Sequence, residues 1–194
     1  MTAQITDRFE YKGKEYSLAA LSAPIPFAPC QYGLEPHGYS TACYRGFWCE
    51  YKIAKGVLAL DNFHMYNDEG RYPEFNGVSV SEPKNDWLGL HFYKGVNLLI
   101  PYSGKMLLGR EFLDEYYIHM GYQRPYAYKE LIELEFDAGK LQRTTDCSKI
   151  AARLRGEGAY EADRFNPDIA RYVNDSFSLD YETKAWWLSS DLDW

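Results

Sequence analysis

The histidines are the residues of this chain that most readily bind metals, and their spacing decides whether they could form a local metal site. The four histidines are His37, His64, His91 and His119. Neither H-E-x-x-H nor H-x-H occurs among them, so a zinc site would need ligands from distant segments. Asp61 with His64, and Glu115 with His119, are close enough in sequence for a carboxylate to orient an imidazole. An ordinary polar contact explains both pairs equally well, and the sequence predicts no metal and no cofactor.

Thiols and carboxylates offer two further kinds of catalytic pair. A cysteine nucleophile needs a lowered pKa and a base within reach, and Cys30, near His37 in a proline-rich segment, is the best placed. Glycoside hydrolysis needs two carboxylates across the scissile bond. Five acids could supply such a pair: Asp61, Asp68, Glu69, Asp114 and Glu115. These residues keep open an alternative function, a carbohydrate- or small-ligand-active protein with an aromatic-lined pocket and paired carboxylates.

Spacing excludes two common motif classes. Residues 103–106 read Ser-Gly-Lys-Met, but the upstream glycine of a phosphate-binding loop is too far away and Met106 replaces the Ser or Thr that would hold magnesium. No two of the four cysteines have C-x-x-C spacing, which removes the commonest zinc and redox signatures. The sequence therefore predicts a strand turn at 103–106 and reduced, partly buried thiols.

The aromatic and acidic composition favours recognition over catalysis. The chain has 18 Tyr, 10 Phe and 5 Trp, and 28 acidic against 21 basic residues give a net charge of −7. Tyrosine is enriched at contact surfaces, and an acidic field attracts basic partners and repels nucleic-acid backbones. We therefore expect a basic protein partner and no nucleic acid. The candidate partner-binding residues are the acids Asp61, Asp68, Glu69 and Glu115 and the rings Tyr66 and Tyr72.

The length of the chain and its N-terminal residues indicate the number of domains and the location of the protein. A chain of 194 residues can bury a core as a single domain spanning 1–194. No run approaches the roughly 20 apolar residues that span a bilayer. Residues 1–8 show neither the basic start nor the apolar stretch of a signal peptide. The sequence predicts a cytoplasmic protein without membrane association.

Three local repeats of one pattern indicate how the chain folds. Alternating apolar and polar residues flank Lys12-Gly13, Lys55-Gly56 and Ala138-Gly139, which is the signature of a β-hairpin turn. Helical patterns cluster later in the chain. The sequence therefore predicts an α+β fold, β-rich over 1–147 and helical over 148–194, with a mainly antiparallel hairpin sheet or open barrel and short C-terminal helices.

The remaining segments are irregular or ambiguous. Four prolines make 22–39 an extended loop, 66–87 is a second irregular stretch, and 96–108 reads as two strands broken at 101–104. Such long loops are often functional or cover a sheet edge. Three helices are predicted: 111–120, where an alternating pattern fits equally well, 148–155 with a Ser148 N-cap, and 166–174 with an Asn166 N-cap.

One segment carries a family resemblance. Residues 42–60, Ala-Cys-Tyr-Arg-Gly-Phe-Trp followed by a hairpin, resemble a segment of small uncharacterised bacterial proteins. Some of those families resemble the immunity proteins of polymorphic toxin systems. The resemblance implies a binder without an active site, and it assigns no functional residue. Together with the composition, it makes a non-catalytic cytosolic protein-binding module the leading hypothesis, with an immunity protein that occludes a basic toxin cleft as its specific form.

Two structural predictions concern single features. Arg45 lies between aromatic residues just before a hairpin, so we expect a buried stem, an ion pair with an acid, and a role in fixing the loop 22–40 onto the sheet. Three indoles lie within 186–194, where burial would anchor the C-terminus and exposure would create a binding patch.

Overall fold

A computed structural model describes residues 2–38, 40–83 and 89–189, and the side chains of 186–189 lie outside this description. Strands occupy the first three quarters of the chain and helices the rest, as the sequence predicts. The strands are β1 Arg8–Tyr11, β2 Lys14–Leu21, β3 Phe47–Ala54, β4 Val57–Met65, β5 His91–Leu99, β6 Gly104–Phe112, β7 Tyr128–Asp137 and β8 Lys140–Asp146. The helices are α1 Ser148–Gly156, α2 Ala159–Arg164, α3 Ile169–Phe177 and α4 Tyr181–Ser189.

The sheet closes into a barrel, which corrects the prediction of an open one. Seven strands follow the order β3-β1-β2-β6-β7-β8-β4, and β4 pairs with β3 to close the ring, while β5 adds to β4 outside it. The strand pairs are antiparallel except β1 with β3, which is parallel. This parallel pair joins strands far apart in sequence, and no hairpin pattern indicates it.

The three predicted hairpins are confirmed. Lys12-Gly13 joins β1 to β2, Lys55-Gly56 joins β3 to β4, and Ala138-Gly139 joins β7 to β8. Both residues of each turn have positive φ, as a two-residue turn matching the twist of its strands requires. The predicted break between two strands at 101–104 is also present, between β5 and β6.

The barrel interior is filled with apolar and aromatic side chains, so it is a packed core. Fully buried members include Phe9, Leu18, Tyr51, Leu58, Leu60, Phe63, Met65 and Met106. The outer wall formed by β2, β6 and β7 is covered separately by helices. Leu107 and Leu131 of this wall share a second cluster with Ala151 and Leu154 of α1 and with Tyr181 of α4.

Two predicted helices are present but lack the predicted N-caps, and the predicted helix over 111–120 is absent. Ser148 begins α1, but its hydroxyl bonds the backbone of Leu131 in β7 and provides no cap. The N-cap of α3 is Asp168, which accepts from the Arg171 N–H at 3.0 Å, so the predicted Asn166 cap is wrong by two residues. Over 111–120, β6 runs to Phe112 and only a 3-10 turn follows. The start of this segment therefore adopts the strand that its alternating pattern allowed, and not the helix.

Arg45 pairs with an acid outside the loop 22–40. Its guanidinium lies over the Phe47 ring at 4.8 Å and donates to Asp7 at 2.8 and 3.4 Å. Asp7, which precedes β1, is 1% exposed and also accepts from the Cys49 N–H at 3.0 Å. The ion pair therefore holds the start of the chain against β3, and other contacts hold the loop.

Some sequence predictions concern residues beyond this description. Residues 84–87 of the second irregular stretch and the indoles of Trp186, Trp187 and Trp194 lie outside the described residues and side chains. In the described part of the chain, no helix has the length and apolar character needed to cross a membrane.

Glu130, a carboxylate on the outside of the barrel, bonds side chains of two other strands. The pH dependence of the free energy of unfolding therefore tests how these strands are arranged. Glu130 of β7 accepts from the Tyr16 hydroxyl at 2.6 Å, from Arg110 at 2.8 Å and from Lys14 at 3.1 Å. The hydrogen bond from Tyr16, with those from Arg110 and Lys14, lowers the pKa of Glu130 from 4.5 to about 2. A pKa that is lower in the folded than in the unfolded state adds to the free energy of unfolding. This contribution is fully present when the pH is above the unfolded-state pKa, and it disappears as the pH falls toward 2.

We expect Glu130→Gln to lower the free energy of unfolding by about 1–2 kcal/mol at pH 7, after allowance for solvent screening, and by almost nothing near pH 2. Urea unfolding measured between pH 2 and pH 7 checks this. Glu161→Gln, an exposed change on α2, is the matched control and should leave the curve unaltered. An equal loss at both pH values for Glu130→Gln would show that the carboxylate charge contributes nothing.

Candidate partner-binding surface

The two irregular segments meet where β3 begins and β4 ends, and both pack aromatic side chains onto the barrel core there. Phe27 of the proline-rich loop lies 5.1 Å from Phe63 of β4 and 5.5 Å from Phe75 of the second segment, between ring centroids. Tyr93 of β5 donates from its hydroxyl to the Pro73 carbonyl at 2.8 Å. Aromatic packing therefore fixes both loops on a rigid barrel, which suits a recognition surface.

Asn67, only 3% exposed, ties the two segments together. Its side-chain amide donates to the Glu35 carbonyl at 2.7 Å, and its Oδ1 accepts from the N–H groups of Glu69 and Arg71, both at 3.0 Å. Its backbone N–H donates to the Tyr72 hydroxyl at 3.1 Å. One buried side chain thus shapes the turn at 67–71 and holds it against the proline-rich loop.

A close backbone contact provides a second tie. The Tyr66 N–H donates to the Gly46 carbonyl at 2.9 Å, and the His37 N–H donates to the Tyr66 carbonyl at 2.7 Å. Gly46 has φ +71°, and a Cβ there would lie 2.1 Å from the His37 carbonyl oxygen. Only glycine allows these backbones to approach so closely.

Two hollows open on this side of the molecule, and Glu35 contributes to both. The first has a volume of about 370 Å³ and mainly apolar walls, which include Ile25, Pro29, Cys30, Leu34, His37 and Phe47. The second has a volume of about 430 Å³ and is lined by Gly33, Glu35, Arg71, Tyr72 and Pro73. Tyr32, which is 42% exposed, packs its ring against Phe27 and Phe75 nearby. We call residues 25–37 and 66–74 the loop surface.

The loop surface is acidic. It contains one arginine, Arg71, and four exposed carboxylates, those of Glu35, Asp68, Glu69 and Glu74. Arg71 pairs with Glu69 at 2.9 Å and lies 4.0 Å from Glu35, while His37 contacts Asp68. An apolar hollow with an acidic rim is complementary to an apolar side chain flanked by basic residues.

The structure brings together four of the six candidate partner-binding residues. Tyr66, Asp68, Glu69 and Tyr72 all lie in the loop surface. Tyr66 is half-buried against the cluster of Trp48 and Leu90, and the Tyr72 ring stacks on His91 at 3.9 Å. The other two candidates lie elsewhere.

Asp61 and Glu115 belong to different regions. Asp61 lies on β4 in a smaller hollow of about 120 Å³, which gathers Glu10, Glu15 and Glu50 around Arg8. The ring that lines that hollow, Tyr51, is buried, so carboxylates and exposed rings do not converge there among the described residues. Glu115 lies in the 3-10 turn after β6, a segment that packs toward α2 through Tyr116 and Tyr160.

Two of the candidate catalytic pairs, Cys30 with His37 and Asp61 with His64, are not joined by a hydrogen bond in the described part of the chain. Cys30 is exposed and lines the apolar hollow with His37, whose Nδ1 contacts Asp68, but no hydrogen bond joins the thiol to the ring. His64 bonds Glu50 at 3.1 Å and not Asp61, and this bond is the main cause that lowers the pKa of Glu50. In the described residues, no three metal-ligating side chains cluster.

Sequence reasoning missed Glu35 and Asn67, which complete the loop surface. A lone acid in a proline-rich loop has no distinguishing pattern, and Asn67 precedes the turn Asp68-Glu69-Gly70, which does indicate a loop. The burial of Asn67 and its bond to a segment 32 residues away follow only from the tertiary fold.

The fold and the surface define an α+β protein whose closed barrel carries an acidic loop surface with an apolar centre. No family model matches the chain, and the searches of curated proteins and of solved structures also returned no match.

Proposed function

We propose that the protein is a non-catalytic protein-binding module whose loop surface occludes a basic site on its partner, as an immunity protein occludes a toxin cleft. The observation that carries the proposal is the apolar hollow of about 370 Å³ bordered by Glu35 and, beyond His37, by Asp68. The cytosolic location and the immunity role rest on the sequence pattern and the resemblance of residues 42–60.

The mechanism is electrostatic steering followed by insertion of an anchor. The acidic rim raises the encounter rate with a basic partner, and this contribution weakens as salt screens the charges. An apolar partner side chain then fills the hollow above Leu34 and Phe47, where burial provides most of the affinity. The loops are already ordered by Asn67 and Gly46, so binding costs little conformational entropy.

Selection from a random peptide library tests this specificity directly, because the library samples many partner sequences at once. We expect the enriched peptides to carry a large apolar residue flanked by Lys or Arg. Raising the salt from about 50 mM to about 500 mM should weaken their affinity about tenfold or more. The charge-reversal variant Glu35→Lys/Asp68→Lys/Glu69→Lys should abolish their binding.

The control reverses the same number of exposed acids elsewhere, in Glu115→Lys/Glu157→Lys/Glu182→Lys. This variant has the same net charge as the first, so it separates local recognition from a general charge effect. Enriched peptides that are acidic, or that bind the two variants equally, would overturn the proposal.

A further inference from the structure

A further cleft lies on the helical side of the molecule, and its residues are remote in sequence from the loop surface. It has a volume of about 330 Å³ and opens between the segment before β7 and helices α1 to α4. Its walls include Tyr126, Leu154, Ala162, Asp163, Arg171 and Lys184. Such a volume accommodates a small molecule, and the walls combine apolar and polar groups.

Lys184 is the unusual member of this wall, because it is a lysine with only 3% exposure. Its Nζ donates to the backbone carbonyls of Tyr122 at 3.4 Å and Ser176 at 3.5 Å, which are long hydrogen bonds. The helical geometry of α4 breaks at Ala185, the next residue. The Lys184 side chain therefore lines the cleft, and two backbone carbonyls hold its amine.

The surroundings of the amine favour its neutral form. Arg124, which belongs to the segment before β7 and is 6% exposed, pairs with Asp163 at 3.0 Å and donates to the Asp175 carbonyl at 3.3 Å. Burial first, and the nearby Arg124 charge second, lower the pKa of Lys184 well below its usual range, although Asp163 and Asp175 oppose the shift. Desolvation and a neighbouring cation are the two means by which proteins make a lysine amine nucleophilic near neutral pH.

We propose that Lys184 binds carbonyl compounds covalently, its amine condensing with a small aldehyde or ketone that enters the cleft. The nitrogen lone pair attacks the carbonyl carbon, and the carbonyl π electrons move to the oxygen. Both amine protons then leave with that oxygen as one molecule of water, and an imine remains. The reaction needs no other reactant. The polar wall groups Asn166 and Thr183 suit a carbonyl compound with hydroxyl or amide substituents.

Reductive trapping tests the proposal on the full chain. The protein is treated with acetaldehyde and cyanoborohydride, and peptide mass spectrometry gives the labelling rate of each lysine. At pH 7 we expect Lys184 to be labelled about tenfold faster than the exposed Lys55 and Lys149. From pH 7 to pH 9 the rate at Lys184 should rise less steeply than that of a solvated amine, which gains about tenfold per pH unit.

Two variants separate reactivity from access. Lys184→Met should remove the fast-labelled site, and Ala162→Phe, at an exposed cleft position on α2, should slow labelling of Lys184 about tenfold while leaving Lys55 unchanged. A rate at Lys184 in the unaltered protein no faster than that at Lys55 at pH 7 would overturn the proposal. Labelling of Lys184 that Ala162→Phe does not slow would overturn the assignment to this cleft.

Discussion

Replacing Gly46 with alanine is expected to lower the free energy of unfolding by about 3 kcal/mol or more. Two effects add at this position. The residue has φ +71°, where an L side chain is strained, and its Cβ would lie 2.1 Å from the His37 carbonyl oxygen. Neither backbone can move freely, because the Gly46 carbonyl also accepts from Tyr66. Urea unfolding measures the loss.

Gly56→Ala is the matched control for this prediction. Gly56 has φ +75° in an open hairpin turn, and a Cβ there would meet nothing within 4 Å. We expect it to cost only the backbone strain, roughly 1–2 kcal/mol. The difference between the two losses in free energy of unfolding measures the cost of the close contact between Gly46 and His37. Equal costs would mean that this contact relaxes without penalty.

Replacing Arg45 with alanine is expected to lower the free energy of unfolding by about 2–4 kcal/mol, because it leaves the Asp7 carboxylate buried without its cation. Asp7 is 1% exposed, and it would keep the hydrogen bond from the Cys49 N–H but no longer a positive charge beside it. Loss of the guanidinium over the Phe47 ring adds a smaller packing term. Thermal and urea unfolding both measure this effect.

Two further variants show whether the charge pair is responsible. Arg45→Lys should recover only part of the loss, since an ammonium cannot reproduce the paired contacts at 2.8 and 3.4 Å. Asp7→Asn in the Arg45→Ala background should recover stability, because the buried negative charge is gone. An unfolding midpoint that Arg45→Ala does not shift would contradict the account of this pair.

Local sequence patterns predicted the hairpins, but they could not predict how strands far apart in the chain pair to close the barrel. The turns at Lys12-Gly13, Lys55-Gly56 and Ala138-Gly139 are visible because a hairpin depends on neighbouring residues. Closure of the barrel depends on the parallel pairing of Arg8–Tyr11 with 50–53, which no local pattern records. The same limit applies to Arg45, whose aromatic neighbours indicate an ion pair but not that Asp7 is the acid.

The loop surface was predictable only in part, for a related reason. Asp68, Glu69 and Tyr72 surround a recognisable turn, so their common location follows from the chain itself. Glu35 joins them because Asn67 bonds its carbonyl across 32 residues. Asp61, although near in sequence, lies on a strand and belongs to another hollow. Residues that are near in sequence therefore share a surface when they lie in one loop, and they do not when one of them lies on a strand.

The most direct test of partner binding by the loop surface maps the binding site of a library-selected basic peptide on the isotope-labelled protein by nuclear magnetic resonance. We expect the backbone amide shifts on titration to be confined to 25–37, 66–74 and Phe47, and to disappear in Glu35→Lys/Asp68→Lys/Glu69→Lys. They should persist in Glu115→Lys/Glu157→Lys/Glu182→Lys. Shifts centred on the hollow around Arg8 and Asp61, or on helices α1 to α4, would contradict the assignment of partner binding to the loop surface.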